Sequence, residues 1–185
     1  DGFCFAVKAP RYITHIRRLD DVATPIANFF ASGPLQLGKK LGPILWQFPP
    51  SMAFDEQRFA DFLALLPQDT EQALRSAKKA DRLQDGSLDA PHQQKLRHAV
   101  EIRHPSFCDP AFIKLLRKHK VALVFADSAG KWPYAEDLTA DFVYLRLHGN
   151  KKLYESGYDE DAIDHWHQRI ATRSEERRVG KECRS

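Results

Sequence analysis

Lys8, Gln47, Glu101, Arg103, Asp127, Arg146 and His148 each stand at or just past the end of a short apolar run. Together they bring cations, carboxylates, an amide and an imidazole. The cations suit a phosphate, a carboxylate or another anionic ligand, because a guanidinium can hold two oxygens at once. Glu101, His148 and Asp127 suit acid–base work. An imidazole titrates near neutral pH, and a buried carboxyl is raised by desolvation or held charged by arginine. Arg11 and His15 in "RYITH", and His104 in "RHPSF", extend this set into the adjoining loops. The catalytic candidates are therefore Glu101, His148 and Asp127. The substrate-binding candidates are Lys8, Arg11, His15, Gln47, Arg103, His104 and Arg146.

Other chemistries compete for the same residues. Glu101, His104, Asp127 and His148 form a carboxylate–imidazole set that a divalent metal could use in a hydrolase, nuclease or isomerase. No close spacing such as HExxH supports it, and the nearby cations would compete for the carboxylates, so no residue is assigned to a metal. An internal salt-bridge network, Glu101 with Arg103 or Arg146 and Asp127 with Lys8, would fill the same space without a ligand. A non-catalytic ligand-binding protein is the further alternative. No nucleophile stands out, because Cys108 in "FCDP" falls at a helix start. The segment "LHGNKKLYESGY" reads equally as a lid carrying Tyr154 and Tyr158 or as an ordinary loop. No cofactor is named by any motif.

These residues need strands to hold them. "FCFAVKA", "GPILWQFPP", "AVEIRHP", "VALVFAD" and "DFVYLRLHG" read as five strands. Between them lie amphipathic stretches. Leu19–Ala31 places Val22, Ile26, Phe29 and Phe30 on one side, with a kink expected at Pro25. "DEQRFADFLALLP" places Phe59, Phe62, Leu63 and Leu66 at helical spacing behind an Asp55 cap. "DPAFIKLLRKHK" opens with Asp109 as cap and Pro110 in the first turn. "DEDAIDHWHQRI" offers Ile163, Trp166 and Ile170 as a buried stripe. Gln68–His98 is polar; part of it is compatible with a helix, but it reads as an exposed excursion rather than core. Strands alternating with helices imply right-handed crossovers and a parallel sheet.

Side chains alternate faces along a strand. One face reads Cys4, Ala6, Lys8; then Leu45, Gln47; Ala99, Glu101, Arg103; Leu123, Phe125, Asp127; and Tyr144, Arg146, His148. The opposite face stays apolar, with Phe3, Phe5 and Val7 on the first strand and Val124 and Ala126 on the fourth. A polar group at the C-terminal end of one face in all five strands predicts a barrel mouth, where parallel barrels place their active sites. The expected fold is a partial α/β (β/α)8 barrel of five parallel strands.

Composition narrows the class. The chain has 185 residues, of which 43% are hydrophobic and 29% charged, as in ordinary globular domains. Its three cysteines form no CxxC, so a reducing, cytoplasmic setting is the simpler reading. No apolar run is long enough for a membrane span. The segment "RSEERRVGKECRS" (173–185) lacks apolar periodicity and resembles a translated sequencing adapter. We set it apart from a domain over 3–172. It carries five basic and three acidic residues, and without it the counts are 23 and 22. Near-neutral charge gives no reason to expect a nucleic-acid partner. The "AKKADR" stretch, with interleaved acids and no aromatics, reads as a solvated face. The expected partner is a small, anionic molecule.

"RYITH", "QFPPS", "RHPSF" and "RLHG", in that order, resemble the YecE-like family, domain of unknown function 72. The resemblance runs from Phe3 to about Ile170. It implies a TIM barrel of about eight strands whose activity is not established. It also implies that two N-terminal strands, with "TSGW"- and "EINSTFY"-like motifs, and the last strand lie outside this chain. A fold name settles no chemistry. The reading drawn from the residues is an enzyme acting at the barrel mouth on a small polar or anionic substrate, sugar-like or phosphorylated.

Overall fold

The computed structural model describes residues 2–82, 89–149 and 157–182, the last ten of these by backbone alone. Five strands, β1 (Phe5–Lys8), β2 (Leu41–Gln47), β3 (His98–Glu101), β4 (Ala122–Asp127) and β5 (Tyr144–Leu147), form one parallel sheet in sequential order. Helices α1 (Ala23–Ala31), α2 (Glu56–Leu65), α3 (Thr70–Ala77), α4 (Pro110–His119) and α5 (Glu160–Glu182) complete the chain. This is part of a (β/α) barrel. Among the described residues no helix is long and apolar enough to cross a membrane.

The main core lies between the sheet and α1–α4. Trp46, Phe48, Phe59, Phe62, Phe107 and Phe112 are buried there. Asp55 and Asp109 cap α2 and α4 as expected, accepting from the Arg58 and Ala111 amides. Pro25 does not kink a helix. α1 begins at Ala23, so the proline falls in the first turn, where no intrahelical amide is needed. The described part of the Gln68–His98 stretch is less exposed than its composition suggests. It contains α3, capped by Asp69, which packs the small residues Ala73 and Ala77 against α1. β1 and β2 approach so closely that a Cβ on Gly42 would sit 2.8 Å from the Phe5 carbonyl oxygen.

A smaller cluster fills the concave side: Leu45, Ala99, Ala122, Val124 and Ala126, with Phe142 and Tyr144 against it. This corrects the expected phase of β4. Ala122 pairs with Ala99, and Ala126 pairs with Arg146, so Val124 and Ala126 face the barrel interior while Leu123 joins the helix-side core. Asp127 shares the phase of Leu147, not that of Arg146. The run "VALVFAD" is apolar on both faces, so alternation alone does not assign its sides.

The sheet edges also differ from expectation. Phe3 and Phe5 are 67% and 45% exposed, and Val7 alone of that face packs on the main core. Of the α5 stripe only Trp166 is buried; Ile163 and Ile170 are 55% and 47% exposed. β1 and β5 are edge strands here, so these faces lack a described neighbour. The backbone of the segment set apart at 173 continues α5 to Glu182.

One buried network ties the layers together. His98 Nδ1 accepts from Trp46 Nε1 at 3.1 Å, and its Nε2 faces the Pro67 carbonyl at 2.7 Å. Indole only donates, so His98 is the neutral Nε2–H tautomer. Burial pushes its pKa down from 6.5 to about 4, against the pull of the Pro67 carbonyl. A depressed folded-state pKa contributes stability that is present above 6.5 and lost as pH falls toward 4. At roughly 1.4 kcal/mol per factor of ten, His98 should account for about 3 kcal/mol of that loss. Denaturant melts between pH 7 and pH 4 check this. A His98→Phe variant should have a lower plateau and a flatter profile over the same range.

Candidate functional site

The strand ends converge on Glu101. The end of β3 holds it fully buried. Its Oε1 accepts from Gln47 Nε2 at 2.8 Å and from Arg103 Nε and Nη2, both at 3.0 Å. Its Oε2 accepts from Arg146 Nη1. Burial alone would raise this carboxyl's pKa, but the Gln47 hydrogen bond and the two guanidiniums outweigh it and hold it below its ordinary value. Arg146 reaches Glu101 from two strands away. Ala126, its neighbour on the intervening strand, is small enough to leave that path open.

Gln47 is bonded on both sides. Lys8 Nζ donates to its Oε1 at 2.7 Å while its Nε2 serves Glu101. The ammonium can only donate and the carboxylate can only accept, so the amide orientation is fixed. Lys8 is exposed at the end of β1. Its pKa is lowered by partial burial and by Arg146, with Arg103 and Arg11 adding to the effect and Glu101 opposing it.

Arg103 also lies flat on an aromatic ring, its Cζ 3.8 Å from the centre of Trp132. Trp132 in turn stands edge-on to His148 at 6.3 Å. His148 is buried, with its Nε2 4.0 Å from Glu101 Oε1. Burial and Arg146 lower its pKa, and Glu101 and Asp127 pull the other way. At neutral pH it is an uncharged imidazole next to an ionised carboxylate.

The remaining candidates divide. His15, beside Lys8 and Arg11, is lowered by burial and by those cations, and its Nδ1 meets the Thr14 hydroxyl at 2.8 Å. Arg11 opens the same π-helical turn, Tyr12–Ile16. His104 makes its contacts within its own turn. Its Nδ1 meets the Ser106 hydroxyl at 2.8 Å and accepts from the Ser106 amide at 3.2 Å, capping the turn Pro105–Phe107. Asp127 does not pair with Lys8. Its Oδ2 accepts from the Tyr158 hydroxyl at 2.8 Å, and burial and this bond push the Tyr158 pKa up to about 12. Among the described residues no three His, Cys, Asp or Glu side chains are arranged to hold a metal ion. Tyr154 lies outside the described residues.

Past Asp127 a cleft of about 510 Å³ opens between the β4–β5 connection and α5, lined by Trp132, Tyr134 and Trp166 among others. Neither the Arg103–Trp132 stack nor the Tyr158–Asp127 bond follows from residue spacing, because both partners come from loops.

The model of the protein family of unknown function DUF72 matches residues 1–182. The chain belongs to the DUF72 family. Among solved structures, a DUF72 protein from Thermotoga maritima matches with a TM-score of 0.68 and 24% identity, covering 94% of this chain and 63% of its own. One from Enterococcus faecalis V583 matches with a TM-score of 0.61 and 18% identity, covering 93% and 66%. At these identities the likeness speaks for the DUF72 fold alone. The chain spans under two thirds of the length of both proteins. No curated protein matches the chain.

Proposed function

We propose that the mouth of this DUF72 barrel binds a small anionic substrate, phosphorylated or carboxylated, and acts on it with proton transfer. One observation carries the reading. Among the described residues, three cations from three strand ends gather on a single carboxylate, Glu101. Lys8 reaches it through Gln47, and Arg103 and Arg146 directly. Among the described residues the cations there outnumber the carboxylate, and after burial it is Arg146 that most lowers the pKa of Lys8. An anion placed between Arg103 and Arg146 relieves that excess, and guanidiniums already oriented by Glu101 lose little freedom on binding it.

The roles follow from protonation. Glu101, ionised and saturated with donors, organises the guanidiniums. His148, neutral at neutral pH, is the proton acceptor. Tyr158 stays protonated and anchors Asp127 at the rim.

The test is a calorimetric titration with inorganic phosphate. Arg146→Met should weaken binding by about 10- to 100-fold, the size of one charge-assisted contact of roughly 1.4–3 kcal/mol. Equal phosphate affinity in both proteins would remove the proposal.

A further inference from the structure

Lys8 differs from the other cations of the mouth. Its hydrogen-bond partner is the neutral amide of Gln47, and no carboxylate of the described residues pairs with it directly. It stands exposed at the C-terminal end of β1, open to a ligand. The charged groups facing it are Arg146, Glu101, Arg103 and Arg11, three of the four positive. A lysine tied to a neutral acceptor is not held as an ammonium by a carboxylate, and its pKa is lowered, by burial first and then by Arg146.

We propose that Lys8 is the amine nucleophile for a small phosphorylated aldehyde or ketone, forming a Schiff base while Arg103 and Arg146 hold the phosphate. The inference rests on the reading of the mouth as an anion site and names the chemistry performed there. The neutral Nζ gives its lone pair to the carbonyl carbon, and the carbon–oxygen π pair moves to oxygen, which takes up a proton. The carbinolamine nitrogen releases a proton, and the hydroxyl leaves as water after a second protonation, giving the carbon–nitrogen double bond. Amine, carbonyl and one proton become a protonated imine and water, with no oxidant or reductant required.

The experiment is borohydride trapping with glyceraldehyde 3-phosphate on the full chain, read by peptide mass spectrometry. The reduced adduct should appear on Lys8 at least ~10-fold above exposed lysines such as Lys39 and Lys114, because the bound phosphate holds the carbonyl beside it. Its yield should fall when unphosphorylated glyceraldehyde is substituted, and inorganic phosphate should compete. Lys8→Arg, which keeps the charge but has no nucleophilic amine, should lose the selective adduct. Labelling of Lys8 no greater than that of surface lysines, with phosphate binding intact, would overturn the Schiff-base inference and leave the anion site standing. Loss of both phosphate binding and the adduct in the unaltered chain would overturn the two together.

Discussion

Replacing Glu101 by Gln is expected to destabilise the fold by about 3–5 kcal/mol, the usual consequence of removing one partner from a buried ion pair. The carboxylate is fully buried, and it holds Arg103 on one oxygen and Arg146 on the other. Glutamine presents an NH2 group to one guanidinium, which can only donate. Two cations then remain close together with no negative charge between them. Acid should reproduce part of the effect. Because the folded-state pKa of Glu101 is depressed, its stabilisation is present above the unfolded value of about 4.3 and is lost as pH falls through the lower folded value. Urea unfolding of Glu101→Gln beside the unaltered chain at pH 7 measures the first effect. A difference under about 1 kcal/mol, the size of an exposed pair, would mean that the carboxylate does not hold the cations as described.

Phe59→Ala is expected to cost a similar amount, about 3–5 kcal/mol, for a different reason. Phe59 is fully buried, and its ring lies 4.9 Å from Phe48, 5.2 Å from Phe107 and 5.3 Å from Phe112. Removing it opens a cavity on the helix side of the sheet. It touches none of the mouth residues. Under conditions where the variant remains folded, its phosphate affinity should therefore match that of the unaltered chain. α/β barrels place their sites at the C-terminal mouth, away from Phe59, and this pair of readouts separates core packing from binding. A Phe59→Ala protein that is folded yet blind to phosphate would show that the two sides are coupled.

How much of this was legible in the residues depends on each strand's own pattern. β3 reads cleanly, because "AVEIR" alternates charge with branched apolar residues. The convergence of Lys8, Gln47, Glu101, Arg103, Arg146 and His148 was visible from that alternation and from its recurrence in β2 and β5. β4 is apolar on both faces, so its phase came only from its hydrogen-bonded neighbours, and Asp127 belongs with Leu147. The burial of α3 was hidden because it packs through alanines, which a search for large apolar residues passes over. His104 resembled a ligand because it follows a charged strand end. Its position before Pro105 instead makes it a cap. The partners Trp132 and Tyr158 come from loops, where no periodicity constrains what a side chain meets.

Tungstate offers the most direct view of the central claim, since it mimics phosphate in charge and shape and its heavy atom is located without ambiguity. A crystal of the chain grown with tungstate should place the anion within hydrogen-bond reach of both Arg103 and Arg146, on the side of Lys8 and His148. Tungstate bound only at other basic groups, with the Glu101 cluster empty at saturating concentration, would contradict the account.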